Sequence, residues 1–223
     1  MKTLKKLITL ALTLCVLTVA FSGCIQPKTY TPSDENLFEF VLLDNGSYSV
    51  AVKAGATLPE TVYLPKTYNE KAVTVVAAGA FIGSGVKNVC IPSNIKTVGE
   101  NAFYGCESLE SVYFYKGVEE IQAGAFYNCK GLKELNLPSS LKVIGNSAFC
   151  NISISRLKLT EKVESVGEFA FAYCGDLISV YISHSVSSLA SNAFVGINKK
   201  AEFEISASNA YYKLDENGLP VAR

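Results

Sequence analysis

Leu135-Asn-Leu-Pro-Ser-Ser-Leu-Lys-Val-Ile-Gly-Asn-Ser-Ala-Phe149 is one copy of a pattern that runs through most of this 223-residue chain. Its closing Ala-Phe pair recurs six times, at Phe81, Phe103, Phe126, Phe149, Phe171 and Phe194. The spacings are 22, 23, 23, 22 and 23. Other columns keep the same register. Eight residues before each Phe stand Val73, Ile95, Val118, Leu141, Val163 and Val186. Five before stand Val76, Val98, Ile121, Ile144, Val166 and Leu189. After the turn come Val112, Leu135, Val180 and Phe203, then Phe114, Leu137, Ile182 and Ile205. In the two shorter repeats Val89, Ile91, Leu157 and Leu159 take those two places.

No single repeat can bury such an apolar set alone, so neighbours must stack into one core. A buried Phe or Ile contributes roughly 1.5–3 kcal/mol of transfer free energy. A period near 23 residues points to a solenoid of the leucine-rich class. Lys133-Glu-Leu-Asn-Leu137 and Ser111-Val-Tyr-Phe114 alternate apolar and polar, the period of a strand with one buried face. Stacked copies predict a parallel sheet with about 4.8 Å between strands. Leu141-Lys-Val-Ile144 predicts a shorter strand on the other side of each coil. Pro92 and Pro138 mark where the chain leaves the main ladder. Gly99, Gly145 and Gly167 precede the Phe turn, where a tight bend is expected. The expected architecture is a β-rich, right-handed coil of about six 22–23-residue repeats, with a parallel sheet, short second strands and an N-terminal hairpin cap.

The pattern Ile-Gly-x-x-Ala-Phe-x-x-Cys-x-x-Leu-x-x-Leu-x-Leu-Pro resembles the BspA-like leucine-rich repeats of bacterial surface proteins. Leu135 to Phe149 and Val98-Gly-Glu-Asn-Ala-Phe-Tyr-Gly-Cys-Glu-Ser-Leu109 carry the resemblance, which covers about residues 60–206. It implies a surface protein that contacts host matrix proteins or neighbouring cells; the lack of a reactive constellation in the sequence points to no catalysis.

The N-terminus reads as an address. Lys2, Lys5 and Lys6 precede the uncharged apolar run Leu7 to Phe21. A bilayer-spanning helix needs roughly 20 residues, so this run has signal-peptide dimensions. It ends at Phe21-Ser22-Gly23-Cys24, which resembles a bacterial lipobox, with Phe21 in place of the usual Leu. The resemblance implies diacylglycerol on Cys24 and a protein tethered to a cell or outer membrane, surface or periplasm facing. Plain secretion and an uncleaved anchor are the alternatives. The sequence divides into a signal peptide (1–23), a lipidated Cys and flexible linker (24–36), a hairpin cap (37–58), the solenoid (59–206) and a C-terminal cap or tail (207–223). Asn45-Gly46 between two strand-like runs supports the hairpin. The C-terminal cap is expected to be slight, with a last turn that frays.

Lys plus Arg equals Asp plus Glu over the whole chain. Without residues 1–23, 17 basic residues face 20 acidic ones, a net charge of −3. That balance offers no footprint for nucleic acid. No catalytic, metal or cofactor residue is assigned. No Cys-x-x-Cys pair occurs, which argues against zinc. Cys106, Cys129 and Cys174 share one column, so they form either a ladder of buried thiols or, at Cys106 and Cys129, a disulfide. His184, the only histidine, reads as a loop residue, since no nucleophile elbow accompanies it. Glu119-Glu120 and Asp215-Glu216 fall at repeat turns and read as solvated pairs, although paired carboxylates can serve glycosidases.

Between the buried positions of the main strands, one residue per repeat points outward: Cys90, Tyr113, Asn136, Lys158, Tyr181 and Glu204. With Tyr115 and Arg156 close by, they outline a face for a protein or glycan partner at the cell surface. The tyrosines also suit a strand for its own sake.

Overall fold

The structure is a computed structural model and describes residues 31–223. The chain winds into a β-solenoid of about seven turns with almost no helix. Six Phe turns become about seven coils because Thr61–Tyr63 places a strand ahead of the first of them. Each coil runs through an extended face segment, a loop, a short back strand and the Ala-Phe turn. The short back strands build the longer sheet. Lys71–Val76, Thr97–Val98, Glu120–Ile121, Val143–Ile144, Ser165–Val166 and Ser188–Leu189 pair in parallel, in chain order. The hairpin Phe38–Leu42 with Tyr48–Val52 extends this sheet at its N-terminal end. Its turn holds Gly46 at φ +81°, and Asn45 Oδ1 accepts from Ser47 N.

The core is a spine of stacked rings. Successive centroids from Phe81 to Phe194 lie 4.7, 4.9, 5.2, 5.3 and 5.7 Å apart, with interplanar angles of 18° or less. The aligned Val, Ile and Leu columns fill the space around it. In the first five turns two positions adopt left-handed backbone, two residues before and two after the Phe, while the turn of Phe194 keeps only the second, at Gly196. Gly, Asn and Ser fill most of them, while coil five uses Phe169 (φ 56°) and Tyr173 (φ 59°).

The glycines expected to make the bend have a different job. Gly99, Gly145 and Gly167 are absent from the left-handed residues. They sit where coils touch: a Cβ on Gly99 would lie 2.6 Å from Val76 O, and one on Gly145 2.7 Å from Ala123 N. Close approach, not turn geometry, selects them.

The face sheet differs from expectation as well. Thr61–Tyr63, Asn88–Ile91 and Ser111–Phe114 form one three-stranded parallel sheet, and Arg156–Lys158, Ser179–Ile182 and Glu202–Ile205 another. Lys133–Leu137, read as a strand from its alternation, lies in neither. Leu135 and Leu137 still face the core, but the ladder stops here. Leu135, Leu137, Val112 and Phe114 are each 8–9% exposed, against 0–3% for their counterparts Val89, Ile91, Leu157, Leu159, Val180 and Ile182. Phe114 is the one aromatic in a column of Ile and Leu, and its ring meets Phe126 edge-on at 6.1 Å. A full core relieves added volume by backbone shift, which makes Phe114 the residue to test at this break.

The C-terminal end is closed by more than a slight tail. Tyr212–Leu214 pairs antiparallel with Pro220–Ala222. Tyr212 Oη accepts from Leu189 N at 2.8 Å, covering the last back strand. Asn209 Nδ2 donates to Ser183 O and Val186 O. No helix among the described residues is long and apolar enough to cross a membrane.

Phe126→Ala should cost about 3–5 kcal/mol, read as a lower midpoint in urea unfolding; a loss below about 1 kcal/mol would remove the spine from the account. Phe114→Leu should close the seam and slow amide hydrogen exchange over residues 133–137. Unchanged exchange there would acquit Phe114.

Candidate binding face

The strands bring the expected residues together in two patches. In the C-terminal face sheet Arg156, Ser179 and Glu202 lie side by side, as do Lys158, Tyr181 and Glu204. Their neighbours Leu157, Val180 and Phe203 are buried, so pleating turns these six outward. Lys158 Nζ sits 5.5 Å from the Tyr181 ring centroid, a cation–π contact. Charge runs from positive on Arg156–Lys158 to negative on Glu202–Ile205. A shallow depression of about 430 Å³ opens here, lined by Arg156, Ile178, Ser179, Lys200 and Glu202. Ile178 is 46% exposed and supplies its apolar floor.

The second patch lies on the N-terminal face sheet. Tyr63, Cys90 and Tyr113 are ladder neighbours. Tyr113 and Tyr115 meet edge to face at 4.7 Å. Cys90, expected to point into solvent, is 1% exposed. A small thiol between two tyrosine positions has larger neighbours on both sides. Asn136 is exposed on the unladdered segment between the patches. Cys24 and residues 1–23 lie outside the described residues.

Periodicity alone left Ile178 and Lys200 unremarked, since they flank the strands rather than occupy them. It also left a row at the Phe turn. Tyr104 and Tyr127 follow their Phe directly and stack at 4.9 Å with 3° between planes. The column was visible in the sequence; its exposure was not.

The residues weighed for chemistry have structural partners. Glu119 bridges Lys96 at 3.3 Å and Lys142 at 2.8 Å. Hydrogen bonds from Lys142 and then Lys96 hold its carboxyl below the usual range. His184 Nδ1 lies 2.7 Å from Glu161, both exposed. Ser183 and Ser185 donate to Thr160 O and Val163 O, so neither hydroxyl is aimed at that histidine. Among the described residues no group of three His, Cys, Asp or Glu is placed to hold a metal ion. The five described cysteines are buried thiols. Cys106, Cys129 and Cys174 each donate to a Phe carbonyl of the preceding coil, Phe81, Phe103 and Phe149, at 2.9–3.3 Å. Burial pushes the Cys174 thiol up to about 12 and raises those of Cys106, Cys129 and Cys150.

A model of the BspA type leucine rich repeat region matches six copies across residues 71–211. The chain belongs to that family. No curated protein sequence matches it. Solved structures of bacterial repeat proteins share the fold. The leucine-rich repeat protein of T. pallidum is 24% identical with a TM-score of 0.63, over 78% of this chain and 86% of that one. The pneumococcal vaccine antigen PcpA is 25% identical with a TM-score of 0.66, over 88% of this chain and 55% of that one. A leucine-rich repeat protein from Bacteroides ovatus gives 24%, 0.61, 82% and 55%. This family member thus spans about half the length of the last two. Its family and these neighbours are repeat proteins.

The described thiols of this repeat protein should resist alkylation at pH 8 until denaturant is added. Because folding raises their pKa, their contribution to stability is complete below the ordinary thiol value of about 9. It declines as pH rises from there towards about 12. Cys174→Ala should therefore soften the alkaline fall in melting temperature; a fall as steep as in the parent chain would exclude that thiol as a cause.

Proposed function

We propose that this chain is an exported surface lipoprotein whose repeat array binds a protein partner through its outward face and catalyses nothing. The observation that carries this is the patch of Arg156, Lys158, Tyr181 and Glu204 beside an apolar-floored depression. Its rigidity comes from the ladder, so little ordering entropy opposes binding. Tyr and Arg are the side chains most enriched among binding hot spots. Tyr113 and Tyr115 form a second anchor on the same side, with Asn136 between the two.

The lipobox-like Phe21-Ser22-Gly23-Cys24 supports cleavage after residue 23 and acylation of Cys24. Polar residues 25–32 would then separate the solenoid from a cell or outer membrane, since Ser33 is already bonded to Tyr63 of the first coil. A second reading, a cell-envelope structural or carbohydrate-binding protein, draws on the half-buried, edge-to-face Tyr113–Tyr115 pair, because aromatic rings at a surface also stack on sugars.

Pull-down against extracellular matrix proteins, run beside a glycan array, separates the two readings. With the partner found, Tyr113→Ala/Tyr115→Ala and Lys158→Ala/Tyr181→Ala should each weaken binding by roughly 30-fold, about 2 kcal/mol. Both should keep the parent circular dichroism spectrum. Full affinity in both double variants would move the site off this face.

A further inference from the structure

Each of the first five Ala-Phe turns passes backbone amides forward to the next coil. Asn101 N donates to Ala123 O at 2.9 Å, Phe103 N to Ala125 O at 2.7 Å and Gly105 N to Tyr127 O at 2.8 Å. The turns of Phe81, Phe126 and Phe149 repeat all three bonds, and the turn of Phe171 makes the last two. One polypeptide always receives them, through carbonyls at alternate residues. The small Ala before each Phe lies between coils and is buried throughout.

In the final turn the corresponding donors are the amides of Asn192, Phe194 and Gly196. No described atom accepts a hydrogen bond from any of them. All three residues line one cleft of about 800 Å³ between the last coil and the C-terminal hairpin. Phe194, Ile197, Phe203, Leu219 and Val221 give it apolar walls. Asn192 Oδ1 is buried there without a donor. An unpaired backbone amide is costly only where it is also buried from water. Gly196 is exposed and Asn192 and Phe194 are half-buried, so what the row offers an occupant is three aligned donors at the mouth of an apolar cleft. Lys199 and Asp215 both line the cleft and oppose each other in charge, so nothing selects an anion.

We propose that this cleft docks a polypeptide segment of a partner protein, bound as one further turn. Its alternate carbonyls accept from Asn192, Phe194 and Gly196, and a small residue between them faces the last coil. The contact continues the coil-to-coil interface already present along the solenoid. A second copy of this chain is a poor occupant. It would have to offer the acceptors of its own first turn, where Ala80 O already accepts from Val52 N of the hairpin. The proposal is independent of the outward face and of its partner.

Hydrogen exchange followed by NMR on the full chain tests it directly. In the free protein the amides of Asn192, Phe194 and Gly196 should exchange at least about 100-fold faster than those of Ser147, Phe149 and Asn151, which have partners. The probe is a synthetic peptide of residues 97–109 with Cys106→Ser, the segment whose carbonyls play this part inside the solenoid. It should bind with a Kd on the order of 0.1 mM or tighter and slow all three amides about tenfold. Leu219→Glu, at a half-exposed cleft position, should abolish that protection while leaving the exchange of Phe149 untouched. Slow exchange of the three amides in the free monomer would overturn the proposal, as would peptide protection elsewhere or none at millimolar peptide. Protection that grows with protein concentration alone would overturn it in favour of a second copy.

Discussion

Commensurate spacing is the constraint on which this molecule rests. Parallel strands repeat at about 4.8 Å, and stacked aromatic rings tolerate centroid separations of about 4.5–7 Å. The Phe spine runs at 4.7–5.7 Å with nearly parallel planes, so ring stacking and strand pairing are satisfied by one coil rise. The turn amides bonded forward to the next coil keep each ring before Phe194 in place. The spacing widens steadily towards Phe194, which is only half-buried and is met edge-on by Phe203 at 5.3 Å. The stack is tightest beside the N-terminal hairpin and loosens where no further ring follows.

A fixed rise dictates what each column can hold. Where backbones touch, at Gly99, Gly145 and Gly167, a side chain would have to displace the preceding coil. Where a carbonyl lacks a strand partner, a thiol fits: Cys106, Cys129 and Cys174 donate to the Phe carbonyls behind them while filling apolar space. Surface columns alternate in charge, as in Lys96, Glu119 and Lys142. Exposed pairs of this kind add little stability, but they discourage like charges from stacking in register. Interior positions are therefore committed to holding coils together. Only the outward strand positions, the turn edge and the two ends are free to vary with a partner.

This division explains what the sequence disclosed. Period, columns, short back strands and the Asn45-Gly46 hairpin were legible because each is a repeated or local signal. The seam at Lys133–Leu137 was not, because its alternation is intact and nothing in its own residues departs from the repeat. The glycines were located correctly but explained wrongly, since a column of glycine looks the same whether it bends the chain or admits a neighbour. On the candidate face, alternation gave the direction of Lys158, Tyr181 and Glu204. It misjudged Cys90, whose exposure depends on the larger side chains beside it. Ile178 and Lys200 required the coordinates, because a depression is shaped by residues from separate coils.

The two ends are chemically unlike, and this follows from the direction of the turn bonds. Since each turn donates forward, the first turn presents carbonyls and the last presents amides. The N-terminal hairpin meets the first need with an amide, Val52 N on Ala80 O. At the other end Tyr212 lends a hydroxyl to Leu189 N, and the Asn209 side chain binds the loop carbonyls of Ser183 and Val186. Those bonds close the back sheet and the loop beside it, but not the turn of Phe194. A cap built from one hairpin has too few acceptors to cover strand, loop and turn together. The hairpin covers the back-strand edge at Leu189, whose exposure would invite unspecific pairing, and leaves the turn edge, where geometry restricts what can bind.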